Sequence, residues 1–206
     1  MSKLKFSSPL LRPGATALLL FCSCALLFFS ACDNIFSPSD FEPTGTPFYL
    51  NPGINTIAIT GNRRLFSDQG LYTLELICQT TNTSPLLDTL PGGLLFTSIK
   101  NSTQHVIVLK DHFITAHPSR TSVVVGVFCC NRYRQIPAED DTFRLGPLTD
   151  NPDLQRLAQL VKNKDISQNL GMVQRAVWMV TDSTGLTQPY IDSINALPPK
   201  SDGNHH

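Results

Sequence analysis

The sequence contains few charged residues and no surplus of either sign. The chain has 16 Lys and Arg residues and 16 Asp and Glu residues. Together these charged residues make up 16% of the chain, whereas ordinary soluble domains have about 25%. No tract of five or more basic residues occurs, and general binding to nucleic acid depends on such cations. The composition therefore argues against a nucleic-acid partner and indicates that part of the chain does not face water.

The apolar part is the N-terminus. Three cations and no acids accompany an apolar run over residues 15–31, which is the pattern of a secretory signal. The run ends in Ser30-Ala31-Cys32, which resembles a bacterial lipobox and implies removal of residues 1–31 and lipid attachment at Cys32. The alternative is a retained transmembrane anchor, for which this run is short. We expect an exported protein, lipid-anchored to a bacterial cell membrane, either inner or outer.

The mature chain would have 206 − 31 = 175 residues and a net charge of 13 − 16 = −3. Residues 32–47 are rich in Ser, Pro, Asp, Thr and Gly and lack the apolar surface that folding requires, so we predict a disordered tether. The folded body is expected over residues 48–197, and a flexible polar tail over residues 198–206.

Strand signals fill the first part of the body. Segments rich in β-branched residues, separated by turn residues, predict strands at 54–60, 71–80, 104–110, 113–116 and 121–130. Residues 71–80 alternate between apolar and polar side chains, as in a half-buried strand. Residues 121–130 are largely apolar on both faces. This strand is therefore expected at the centre of a sheet and covered on both sides.

Helical periodicity follows the strands. Asp150 or Asn151 can cap a helix that begins at Pro152, a second helix is predicted over residues 167–181, and a short third one follows Pro189. Strands followed by helices predict an α+β fold, with a β-sandwich or other β-rich body and a small C-terminal helical cap.

The body contains three cysteines, Cys78, Cys129 and Cys130. In an oxidising compartment we expect one disulfide and one free thiol. Neighbouring strand residues face opposite sides, so Cys78 can reach only one of the other two. No CxxC motif occurs, and no histidine of the body has ligand-like spacing to the cysteines. We therefore expect neither a metal site nor a cofactor.

Two segments resemble the signatures of bacterial thioester domains. Phe128-Cys129 fits an aromatic-Cys strand motif, and Val173-Gln174-Arg175-Ala176-Val177-Trp178 fits a T-Q-x-A-[IV]-W helix motif, with Val173 in place of Thr. The resemblance covers about residues 120–182 and implies an internal thioester between Cys129 and Gln174. Trp178 shares a helix face with Gln174 and is expected, with Phe128, to shield the bond from water. Cys78 and Cys130 are then the possible disulfide, although Cys129 and Cys130 are interchangeable at this level.

In such a site the thiolate of Cys129 attacks the carboxamide of Gln174 and ammonia leaves. Amides are poor acyl donors, but proximity can supply about 7–11 kcal/mol. The thioester then acylates an amine, most plausibly a lysine of another surface protein. The resemblance implies adhesion by a covalent binder that acts once and is not a turnover enzyme.

The alternative is a lipid-anchored binding or structural module with a disulfide and no thioester. In this alternative Gln174 is an ordinary solvated helix residue and Trp178 is part of the core. An envelope enzyme is disfavoured because no acid, base and nucleophile converge in the sequence. His112, His117 and Asp182 are the candidates for assisting proton transfer, and the alternative for each is an ordinary loop or cap residue.

Overall fold

The computed structural model describes residues 40–63, 67–182 and 184–200 of the chain. The signal segment 1–31 and Cys32 lie outside these residues. The described part contains nine strands and three helices, which confirms the prediction of a β-rich α+β body with a small helical part. The strands are β1 Gly45–Pro47, β2 Ile54–Gly61, β3 Tyr72–Thr80, β4 Leu86–Leu90, β5 Leu94–Ser98, β6 Val106–Ile107, β7 His112–Ala116, β8 Thr121–Cys129 and β9 Phe143–Thr149; the helices are α1 Pro152–Val161, α2 Leu170–Thr181 and α3 Gln188–Asn195.

Seven strands form one antiparallel sheet in the order β1-β9-β5-β6-β8-β3-β2, and β4 pairs with β7 in a separate ribbon. The sheet curves back on itself. Thr60 of β2 forms a bridge with Thr142, and the Gly61 N–H donates to the Asp141 C=O at 3.0 Å, next to the start of β9. Strand β8 is interior to this sheet, as its sequence predicts.

The core is divided between the two faces of the sheet. One cluster contains side chains of β2, β3, β5, β7 and β8, including Leu74, Val125 and Cys129. The other lies between the sheet and the helices and includes Phe128 and Cys130. Successive residues of β8 therefore alternate between two buried environments, because strand side chains point to opposite faces. The expectation that β8 is covered on both sides is confirmed for residues 125–129, whereas residues 121–124 are only partly covered.

Helix α1 begins where the sequence predicts. The Asn151 side-chain oxygen accepts hydrogen bonds from the main-chain N–H groups of Asp153 at 3.0 Å and Leu154 at 3.1 Å, so Asn151 is the N-cap. Helix α2 begins at Leu170, three residues later than predicted. The Asp165 carboxylate instead holds the Ser167 N–H in a turn, at 3.0 Å.

The predicted tether and tail are wrong at their inner boundaries. Residues 40–47 belong to the body, because β1 pairs with β9 and the Asp40 carboxylate accepts from Asn131 Nδ2 at 2.6 Å and Arg134 Nε at 2.8 Å. Residues 198–200 are also bound, through the Pro198 C=O and the Lys200 N–H. Main-chain hydrogen bonds fix both segments, and ion pairs with Arg134 also hold the first one. The small number of apolar residues in these two segments gives no sign of such contacts.

Candidate functional site

The structure brings Gln174 and Cys129 together although they are 45 residues apart. Gln174 lies on α2 and is only 1% exposed. Its Oε1 accepts from the Cys129 main-chain N–H at 2.8 Å, and its Nε2 donates to the Cys129 C=O at 2.7 Å. The carboxamide is therefore fixed by two hydrogen bonds to the residue with which the motif resemblance pairs it. Gln174 is not the solvated helix residue of the alternative interpretation.

The end of strand β3 explains why this position needs a carboxamide. Pairing between β3 and β8 ends where Tyr72 lies opposite Val127. On the other side of β8 the Cys130 N–H donates to the His105 C=O at 2.8 Å, so the N–H and C=O of Cys129 point towards the missing continuation of β3. A carboxamide carries the same donor and acceptor as a peptide group. Gln174 thus completes the sheet where β3 stops.

Both cysteines at the end of β8 are fully buried thiols, on opposite faces of the sheet. Burial raises the pKa of Cys129 and of Cys130 far above the usual value, and the proximity of Cys129 raises that of Cys130 further. Both thiols are therefore protonated at neutral pH. The Gln174 carboxamide binds the main chain of Cys129 itself, which favours Cys129 over Cys130 as its partner.

Trp178 and Phe128, the two predicted shielding residues, occupy different sides of the sheet. Trp178 is half-buried and packs against the cluster that contains the Cys129 side chain. The Arg132 guanidinium lies 5.9 Å from the centre of the Trp178 ring. Phe128 is fully buried in the helix-side cluster with Cys130. Trp178 can therefore cover the face on which the Cys129 thiol lies, and Phe128 cannot.

The candidates for proton transfer do not gather around Cys129. His112 is buried and its Nε2 is 3.3 Å from the Gly126 C=O, three residues before Cys129 on β8. His117 is exposed near Thr121, at the opposite end of that strand. Asp182 follows the end of α2, two turns beyond Gln174, and lines a cavity. Because Asp182 lies next to Trp178, it is the one of these three candidates that lies on the same side of the molecule as Gln174.

The cavity was not predicted from the sequence. It has a volume of about 400 Å³ and lies beside Trp178, between α2, the residues after β8 and α3. Arg132, Arg175, Met179, Asp182 and Tyr190 also line it. The motif comparison pointed to Trp178 as a shield, but no local pattern places Arg132 and Tyr190 next to it. These residues come from three separate parts of the chain.

The predicted disulfide between Cys78 and Cys130 is wrong. Cys78 lies opposite Thr121, at the far end of β8 from Cys129 and Cys130. Eight strand residues at about 3.3 Å each separate the two ends by about 26 Å, whereas disulfides need Cα atoms about 4.4–6.8 Å apart. The three cysteines in the part of the chain that the structure describes are free and buried.

In the described ranges, no three His, Cys, Asp or Glu side chains are grouped so that they could hold a metal ion. None of the described helices is long and apolar enough to cross a bilayer. Comparisons of the chain with protein-family models, with curated proteins and with solved structures gave no match.

Proposed function

We propose that this chain is a lipid-anchored envelope protein that forms an internal Cys129–Gln174 thioester and captures amines of a partner covalently. The observation that carries the proposal is the pair of hydrogen bonds that holds the Gln174 carboxamide on the main chain of Cys129. The N-terminal signal and Cys32 support export and lipid attachment. The partner chemistry is a primary amine on a surface protein, most plausibly a lysine.

The geometry supports the acylation step. The Cys129 N–H donates to Gln174 Oε1, the atom on which negative charge develops when sulfur attacks the carboxamide carbon. In this step the S–C bond forms and the C–N bond of the carboxamide breaks. The nitrogen leaves as ammonia and takes up the proton of the thiol. Since burial raises the pKa of Cys129, we expect this step to be slow and to depend on proximity.

Burial also protects the product. A thioester at this position is closed off from water, because Cys129 and Gln174 are both buried and Trp178 packs against the cluster that contains Cys129. An amine that passes Trp178 attacks the acyl carbon. The C–N bond then forms, the C–S bond breaks, and Cys129 regains its proton. The partner remains joined to Gln174 by an amide, so each molecule reacts once.

A second candidate function is a binding or structural module without a reactive bond. It is favoured by the Nε2 hydrogen bond to the Cys129 C=O, because that donor is lost when ammonia leaves. In this case the carboxamide of Gln174 only completes the sheet beyond β3. The two candidates share the fold and differ in whether the C–N bond of Gln174 is ever broken.

Covalent labelling with a fluorescent primary amine distinguishes them. The full chain is incubated with the amine, denatured, and digested to locate the label by mass spectrometry. We expect label on Gln174, none in the Cys129→Ala or Gln174→Ala variants, and retained label in Cys130→Ala, which is the matched control on the other face. Absence of label from the wild-type chain, or loss of label in Cys130→Ala alone, would contradict the assignment of Cys129.

A further inference from the structure

The cavity beside Trp178 has a composition that suits a charged ligand. Trp178, Met179 and Tyr190 form apolar walls, and Arg132 and Arg175 are exposed cations at its edge. Arg175 is adjacent in sequence to Gln174. Trp178 lines the cavity and also packs against the cluster that contains the Cys129 side chain. A ligand bound in this cavity would therefore lie against the helix that carries Gln174.

The charge of the cavity is positive. Arg132 stacks over the rings of Tyr133 and Trp178 at about 6.0 and 5.9 Å, and the Arg175 Nε donates weakly to the Gly171 C=O at 3.4 Å. Within the described part of the chain, neither guanidinium has a carboxylate within 4.0 Å. Among the described residues, Asp182 is the one acid that lines the cavity, and burial raises the pKa of its carboxyl although Arg132 acts against this.

We infer that this cavity binds acidic side chains of the partner, and that it thereby selects lysines that have acidic residues close to them in the partner sequence. Guanidinium groups bind carboxylates through two parallel hydrogen bonds, and Arg132 and Arg175 have these donors available. The apolar walls would cover the aliphatic part of the bound segment. The inference rests on the proposed function for its role in capture, but the binding itself does not require the thioester.

The helix sets the spacing between the acidic residue and the lysine. Trp178 is four residues after Gln174, which is about 6 Å along α2 at about 1.5 Å per residue. An extended peptide advances about 3.3 Å per residue. An acidic side chain held in the cavity at the level of Trp178 would thus lie about two peptide residues from a lysine at the level of Gln174.

Binding can be measured without the thioester, because Trp178 is the single tryptophan of the chain. Its emission therefore reports on the surroundings of this one side chain, which lines the cavity. We would titrate the full chain carrying Cys129→Ala with a short end-blocked peptide that has a lysine two residues from a pair of glutamates. The comparison peptide has glutamines in place of the glutamates. The variants are Arg132→Gln and Arg175→Gln, and Arg156→Gln on the exposed face of α1 is the matched control.

We expect the acidic peptide to bind about fivefold more tightly than the neutral one, as exposed charge pairs allow. This preference should be lost in Arg132→Gln or Arg175→Gln and kept in Arg156→Gln. Equal affinity for both peptides, a preference that survives in both cavity variants, or unchanged Trp178 emission would overturn the inference.

The proposed function is tested separately by adding methylamine to the wild-type chain. If the chain reacts with methylamine but shows no preference for the acidic peptide, the inferred binding of acidic side chains in the cavity is refuted and the thioester is retained. Preference without any methylamine reaction would leave the cavity as a binding site and refute the thioester.

Discussion

The sharpest stability prediction concerns the carboxamide of Gln174. Gln174→Ala leaves the N–H and C=O of Cys129 buried without their partners. An unsatisfied buried group costs about 1–3 kcal/mol, so we expect a loss of about 3 kcal/mol in the free energy of unfolding. For a domain of this size that corresponds to a fall in Tm of about 6–12 °C. Gln159→Ala, at an exposed position on α1, is the control and should change stability by less than about 0.5 kcal/mol.

Gln174→Glu adds a pH-dependent form of the same test. A protonated carboxyl can accept from the Cys129 N–H and donate to the Cys129 C=O, whereas a carboxylate has no donor and is buried. The folded state therefore raises the pKa of this side chain above the unfolded value of about 4.3. Its contribution is complete below about pH 4.3 and is lost as the pH rises through the folded pKa.

Thermal unfolding followed by circular dichroism measures both effects. The series is made in a Cys129→Ala background, in which no thioester can form, so that only the hydrogen bonds change. We expect Gln174→Glu to resemble its parent near pH 4 and to be less stable by about 2 kcal/mol or more at pH 8. A Tm within about 2 °C of the parent for Gln174→Ala, or a difference for Gln174→Glu that does not depend on pH, would refute the reasoning.

Three further predictions concern other parts of the body. Burial lowers the pKa of His105 and His112, so the folded state binds fewer protons than the unfolded state. As the pH falls below about 6.5, the free energy of unfolding should therefore decrease by up to about 1.4 kcal/mol per pH unit for each histidine. The His112→Gln variant should show a smaller decrease in thermal melts between pH 7 and pH 5. Asp40→Ala removes a partly exposed ion pair with Arg134 and should lower the Tm by about 2–4 °C, whereas an unchanged Tm would mean that residues 40–42 are not held. The Gln174→Ala chain, unfolded without reductant, should alkylate at all three body cysteines, and a crosslinked peptide containing Cys78 and Cys130 would contradict the strand register.

Much of the fold follows from local patterns. The two-sided apolar pattern of β8, the alternation in β3 and the Asn151-Pro152 start of α1 each depend on neighbouring residues, and the structure agrees with them. The sequence patterns do not predict strands β1, β4, β5 and β9, and for β5 and β9 the reasons are local as well. Leu94–Ser98 is buried without alternation, and Phe143–Thr149 contains a Gly-Pro pair that reads as a turn. Pro147 is tolerated because the register between β5 and β9 shifts beside it, and such irregularities accept a residue that has no N–H donor.

The candidate site depends on contacts that no local pattern contains. The motif resemblance paired Cys129 with Gln174, but the reason for their contact is that β3 stops opposite Val127 and leaves the Cys129 main chain unpaired. The position of Cys78 follows from the register of β3 on β8, and spacing alone could not exclude its disulfide. The cavity at Trp178 requires a loop and two helices to meet. These features arise from the tertiary arrangement, which the pattern of neighbouring residues in the sequence does not determine.

The most direct test of the proposed function is the intact mass of the full chain before and after methylamine, with Cys129→Ala measured alongside. Loss of ammonia predicts a mass about 17 Da below that of the processed chain, followed by a gain of about 31 Da when methylamine adds to Gln174. The Cys129→Ala chain should show neither change. A wild-type mass that corresponds to three free body thiols and does not change with methylamine would contradict the thioester and leave Gln174 as a residue that completes the sheet.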